Sequence, residues 1–156
     1  MLDAAARVLA LLEASGLTIA VAESLTGGQV VAELVAVPGA SRVVRGGVVA
    51  YATDLKESLL GVDGVLLAER GAIDPDVAEQ MARGVCERLG ADLGIATTGV
   101  AGPDPQDGHE PGTVHVAVHR AGRGTHTETH AFRGDRSAVR TATVQAALAL
   151  LEDVVR

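Results

Sequence analysis

The sequence predicts an α/β sandwich with a mostly parallel sheet, and three observations carry that prediction. Short runs rich in β-branched residues alternate with segments whose apolar residues recur at helical spacing. The helical segments carry start and stop signals, of which Asp74-Pro75 before Val77, Met81, Val85 and Leu89 is the plainest. Toward the C-terminus two alternating runs flank Arg120–Gly124, a hairpin that adds one antiparallel strand to an otherwise parallel sheet.

In chain order, Leu2 to Ala14 reads as a helix closed by Ser15-Gly16, and Thr18 to Ala22 as the first strand. A tight turn through Ser24 leads to a helix over Thr26 to Ala36, stopped at Val37-Pro38-Gly39. Val43 to Tyr51 is a strand whose internal pair, Gly46-Gly47, signals a bulge or a close backbone approach. A short helix carrying Lys56, Leu59 and Leu60 follows, capped by Thr53 or Asp54 and ended by Gly61, and Val65 to Arg70 is another. After the Asp74-Pro75 helix, Asp92 to Thr98 is a buried strand. The Pro- and Gly-rich stretch Pro105 to Pro111 reads as a mobile loop. Gly112 to His119 places Val114, Val116 and Val118 on one face, Thr125 to Phe132 alternates again, and Asp135 caps a last helix. Neither a repeat nor a linker interrupts the 156 residues, which fit one domain.

Composition narrows the function classes. Apolar residues make up 47% of the chain, but Tyr51 and Phe132 are its only aromatics, so a base-stacking platform for single-stranded nucleic acid is ruled out. A net charge of −7 argues against a binder of phosphate backbones. The lone Cys86 permits no internal disulfide and no cysteine-rich zinc site. No signal-peptide pattern and no long apolar run is present, so the expectation is a cytoplasmic protein without membrane or nucleic-acid partners.

The chemistry centres on Val21 to Gly28, a strand–turn–helix corner with Ser24 at the turn and Gly27 and Gly28 leaving room for a ligand against the backbone. Of 13 basic side chains all but Lys56 are Arg. A composition that writes its cations as Arg keeps a Lys where a proton must be given up, which guanidinium does not do. Ser with a desolvated Lys is a route to an oxygen nucleophile without histidine. The alternative for Ser24 is an ordinary N-cap serine, with Thr26 an equal contender for the cap. Glu23 reads as solvating the turn rather than facing a site, and Tyr51 either donates a hydrogen bond near the nucleophile or fills a core gap. The loops Glu23–Gly28, Tyr51–Lys56 and Thr98–Asp104 fall at carboxyl ends of strands, where open α/β sheets bind ligands. Phe132–Arg136 brings Arg to the same rim, suited to gripping phosphate or carboxylate. His115, His119, His126 and His130 share the hairpin, but residues four apart on a strand are about 13 Å apart. A metal would therefore need a cross-strand pair, and a solvated polar face is the expected reading.

These blocks resemble a known family. Ala22-Glu23-Ser24-Leu25-Thr26-Gly27-Gly28, Gly47-Val48-Val49-Ala50-Tyr51 with Lys56, Thr98 to Asp104, Gly112-Thr113-Val114 and Phe132 to Arg136 are similar, in the same order, to the CinA C-terminal domain. The stand-alone form of that family is a nicotinamide mononucleotide amidohydrolase. The resemblance implies a three-layer α/β/α sandwich on a mixed five-stranded sheet, and hydrolysis of the nicotinamide mononucleotide carboxamide without metal or organic cofactor. It implies Ser24 as nucleophile, Lys56 as general base and Tyr51 and Arg136 as supporting groups. Thr26, with Gly27 and Gly28, and Thr98, with Gly99 and Gly102, fall near the nucleotide, whose 5′-phosphate Arg136 would hold. Backbone N–H groups of Thr26–Gly28 are the expected oxyanion donors. A homodimer, as in relatives, suits the aliphatic helices. The larger family members also carry an N-terminal nucleotide-pyrophosphatase-type domain, which is not expected here, and many have Cys where this chain has Leu25. The same rim is open to a second reading as a non-catalytic nucleotide-binding or regulatory domain. A third, a structural partner module, would leave Ser24 and Lys56 on the surface.

Overall fold

A computed structural model describes residues 3–156, so the Leu2 start of the first predicted helix lies outside the described residues. The elements run α1 Ala4–Ser15, β1 Ile19–Glu23, α2 Gln29–Val35, β2 Val44–Val49, α3 Thr53–Leu60, α4 Gly64–Arg70, α5 Pro75–Arg88, β3 Leu93–Gly99, β4 Thr113–Arg120, β5 Gly124–Ala131 and α6 Arg136–Val155. The sheet order is β2-β1-β3-β4-β5, with β1 parallel to both β2 and β3, and with β4 antiparallel to β3 and β5. Four strands therefore point one way and β4 the other, as the hairpin predicts.

Side-chain alternation along the strands divides the interior into two layers. Ile19 and Val21 of β1, Leu93 and Ile95 of β3, and Val114, Val116 and Val118 of β4 face α1, α2 and α6. Ala20, Ala22, Ala96 and Ala117 face α3, α4 and α5. Small residues on that second face let α5 sit close: a Cβ on Gly94 would stand 1.9 Å from the Ala82 carbonyl oxygen. Any side chain there would push the helix off the sheet.

Helix ends follow the predicted chemistry in most places. Asp3, Asp63, Asp74 and Asp135 accept from N–H groups of the first turns of α1, α4, α5 and α6. At α3 the N-cap is Ala52, so neither Thr53 nor Asp54 fills the expected role. The helix expected from Thr26 begins at Gln29, because Thr26–Gly28 form a turn with Gly27 and Gly28 at φ +58° and +102°. The glycine pair of β2 sits at an irregularity, where pairing with β1 skips from Val44 to Gly46. No helix among the described residues is long and apolar enough to cross a membrane.

Candidate active site

The carboxyl ends of β1 and β2 lie side by side, joined by a bond from the Ala50 N–H to the Glu23 carbonyl at 2.9 Å. That pairing sets the residue after β1, Ser24, next to the residue after β2, Ala50. From Tyr51 the chain turns into α3, whose buried face carries Lys56 and Leu60. One turn of helix returns Lys56 to the corner it has just left. Its Nζ lies 3.0 Å from Ser24 Oγ, donates to the Ala50 carbonyl at 2.8 Å and reaches the Tyr51 carbonyl at 3.4 Å.

Both partners are buried, Ser24 at 7% exposure and Lys56 at 1%, so the surface placement required of a structural partner module does not occur. None of the three groups around the amine is a carboxylate. Burial pushes the Lys56 pKa from 10.5 down to about 8, while the Asp107 carboxylate pulls the other way. At pH 8 about half of the amine is therefore neutral. A neutral amine has two N–H bonds and one lone pair. With the two carbonyls taking the N–H bonds, the lone pair remains for the Ser24 hydroxyl.

The cleft that Ser24 lines, with Lys56 buried behind it, has a volume of about 400 Å³, within the range of small-molecule sites. Ser24, Tyr51, Ala72, Ile73, Arg136 and the run from Gly99 to Gln106 line it. Arg136 donates to the Gly102 carbonyl at 2.8 Å and to the Tyr51 hydroxyl at 3.0 Å. Tyr51 is 60% exposed, so it fills no core gap. Its hydroxyl meets Arg136, while its carbonyl serves Lys56.

Several expected site residues stand elsewhere. Thr26 and Thr98 are fully buried behind the cleft. The Thr26 hydroxyl bonds that of Thr97 at 2.7 Å, and the Thr98 hydroxyl donates to the Ala72 carbonyl at 2.7 Å. Gly27 and Gly28 do not line the cleft, and their N–H groups are taken: Gly27 donates to the Ser24 carbonyl at 3.0 Å and Gly28 to Glu23 at 3.1 Å. The N–H groups of Leu25 and Thr26 have no acceptor among the described residues. Gly99 and Gly102 line the cleft as expected.

Glu23 corrects the sequence reading most sharply. It does not solvate the turn: it is 1% exposed and accepts from the N–H groups of Gly28, Val30 and Val31 at 3.1, 3.0 and 2.9 Å. The reason is local. Gly28, the N-cap of α2, has no side chain to satisfy the first helical donors, and a carboxylate there also complements the helix dipole. Arg140 carries no motif that marks it in the sequence. One turn beyond Arg136 on α6, it donates to the Leu25 and Thr26 carbonyls at 2.9 and 3.2 Å, pinning the turn from outside. A helical i, i+4 pair of arginines at the rim was the available signal. On the hairpin, the register sets His115 opposite Thr129 and His119 opposite Thr125, each ring bonded to a threonine hydroxyl at 2.9 Å. No two of its histidines face one another.

An open α/β sheet with a polar cleft at the carboxyl ends of its first strands defines the class, and comparison with known proteins gives the family. The chain belongs to the CinA C-terminal domain family, whose model matches residues 2–155. It is 51% identical over 145 residues to a CinA-like protein of Frankia casuarinae, covering 92% of this chain and 33% of that protein. A CinA-like protein of Gloeobacter violaceus is 49% identical over 145 residues, covering 91% of this chain and 34% of that one. The chain thus spans about a third of the length of the curated relatives it matches. Among solved structures it is similar to a CinA superfamily protein of Klebsiella pneumoniae, with a TM-score of 0.93, 33% identity and coverage of 97% and 95% of the two chains. The competence/damage-inducible protein CihA of Agrobacterium tumefaciens matches at a TM-score of 0.94 and 33% identity, covering 98% and 94%.

Proposed function

We propose that the protein hydrolyses the carboxamide of nicotinamide mononucleotide to nicotinate mononucleotide and ammonia. The observation that supports this most is the buried contact of the Lys56 amine with the Ser24 hydroxyl at 3.0 Å. In this reading Ser24 Oγ attacks the carboxamide carbon as neutral Lys56 takes the hydroxyl proton. The tetrahedral oxyanion is met by the N–H group of Leu25, which lines the cleft beside Ser24 and replaces the Thr26–Gly28 set, such a donor being worth about 3 kcal/mol. Collapse of the intermediate passes the Lys56 proton to the leaving nitrogen, and ammonia departs. Water then attacks the acyl ester, gives its proton to Lys56 and frees the carboxylate, and the proton returns to Ser24. No step requires a metal or an organic cofactor.

The test is ammonia release from nicotinamide mononucleotide by the purified protein. Thermal stabilisation by the nucleotide without ammonia would favour the regulatory reading instead.

Two further outcomes follow. With Lys56 near pKa 8, kcat/KM should rise with pH along a limb centred on about 8, since only the unprotonated amine can act as base. A limb near 6 or a flat profile would contradict the assignment. Arg136→Ala should raise KM for the phosphorylated substrate about tenfold or more while changing kcat less, since it removes a charged anchor at the rim. Unchanged kinetics would remove Arg136 from the site.

A further inference from the structure

The run Pro103 to Pro111 carries three prolines, and its part from Pro105 to Pro111 reads from the sequence as a mobile loop. The structure ties it down. Gln106 and His109 exchange two backbone hydrogen bonds, at 3.0 and 2.8 Å, around a tip formed by Asp107 and Gly108. Both tip residues are left-handed, at φ +50° and +78°, the pattern of a tight hairpin turn. Asp107 is the only non-glycine residue with positive φ among the described residues. Asp and Asn tolerate that conformation better than most side chains do.

The turn directs the Asp107 carboxylate onto the segment between α4 and α5, where Oδ2 accepts the Ala72 N–H at 3.1 Å. Gly71 leaves the space for it: a Cβ there would stand 2.8 Å from the same oxygen. The Ala72 peptide is thus held from both sides, its N–H by Asp107 and its carbonyl by the Thr98 hydroxyl at the end of β3. Ala72 and Ile73 line the cleft, and so do Pro103 to Gln106. A single side chain therefore joins two separate stretches of the cleft wall.

We propose that Asp107 is a positioning residue: a latch that fixes the Pro103–Pro111 loop to the Gly71–Ile73 segment and so sets the width of the cleft around the substrate. The kinetic consequence rests on the amidohydrolase reading, whereas the latch itself does not. Asp107 makes no hydrogen bond to Ser24 or Lys56, and its charge only offsets part of the burial-driven fall in the Lys56 pKa. Above about pH 8, where the amine is already mostly neutral, its effect therefore belongs in substrate binding rather than in the chemical step.

The test combines hydrogen exchange with ammonia-release kinetics on the full chain, in wild type, Asp107→Ala, Asp107→Asn and Gly71→Ala. Asp107→Ala removes the acceptor and should speed exchange at Ala72, Gln106 and His109 about tenfold or more, leaving β3 and α5 protected. KM should rise about tenfold with kcat changed less than threefold. Asp107→Asn keeps an acceptor and a residue suited to the left-handed turn, and should restore both slow exchange and low KM. Gly71→Ala, which crowds the carboxylate, should reproduce the Asp107→Ala pattern. Wild-type exchange in both Asp107→Ala and Gly71→Ala would overturn the latch, as would faster exchange spread evenly over the chain. Asp107→Asn behaving like Asp107→Ala would overturn it as well. If the wild type releases no ammonia, the amidohydrolase reading fails while the exchange pattern still decides the latch.

Discussion

Lys56→Met is expected to reduce ammonia release at least about 10⁴-fold while leaving the fold intact. Methionine matches the length of the lysine stem, so packing between α3 and the sheet is retained, but the lone pair that faces Ser24 is gone. Ser24→Ala should cost as much, and the double variant no more than either single one, because the two groups act as a unit. Kinetics on the three variants, with circular dichroism as the fold control, checks this. Additive losses would mean that the amine and the hydroxyl serve separate roles. Stability carries a second signature. The folded pKa of Lys56, about 8, lies below the ordinary 10.5, so the folded protein binds fewer protons than the unfolded chain between those values. The buried amine therefore destabilises the fold fully below pH 8, and this cost disappears as pH rises toward 10.5. Wild type should gain stability relative to Lys56→Met across that window. A constant difference across it would mean that the amine is not desolvated.

Glu23→Ala should produce the largest loss of stability. It would strip acceptors from three N–H groups at the start of α2, one of them buried and two partly buried. Hydrogen bonds to a charged acceptor contribute about 1.5–3 kcal/mol each, and a buried donor left unpaired costs its desolvation. A net loss of roughly 3 kcal/mol or more follows, read as a fall in Tm of about 6–12 °C. Activity should fall too, since the turn that follows Ser24 is held at one end by Glu23 and at the other by Arg140. A Tm within 2 °C of wild type, on the same roughly estimated scale, would mean that α2 finds its donors other partners. Glu23→Gln keeps one acceptor oxygen but turns a donor toward the helix N–H groups, so it should lie between wild type and Ala.

How much of this was legible in the sequence depends on whether a residue's role is local. Strand alternation and helix capping are local, and β4 and α5 fall close to where the periodicity of Val114-Val116-Val118 and the Asp74-Pro75 cap place them. Ser24 and Lys56 lie 32 residues apart, yet their meeting was legible because a single Lys among the basic residues singles out that side chain. The direction in which a turn residue points is not local. Thr26 and Thr98 look like site residues by position, but the packing of β1 against β3 turns the Thr26 hydroxyl to Thr97, and Thr98 serves Ala72. Glu23 reads as solvated because acidic residues seldom bury. Its partners are backbone donors, which no side-chain pattern displays. Asp107 sits in a stretch whose composition says loop and nothing more; its partner at Ala72 is 35 residues away, and only the fold brings the two together.

The central claim is that Lys56 stands as a largely desolvated amine able to take the Ser24 proton. Because this chain contains one lysine, protein labelled with lysine carrying 13C at Cε gives a single side-chain resonance to follow by NMR as pH is raised. The structure predicts a titration midpoint of about 8, coincident with the limb of the kcat/KM profile. A midpoint at or above the ordinary 10.5 would show an amine that stays charged at working pH, and would contradict the proposed chemistry.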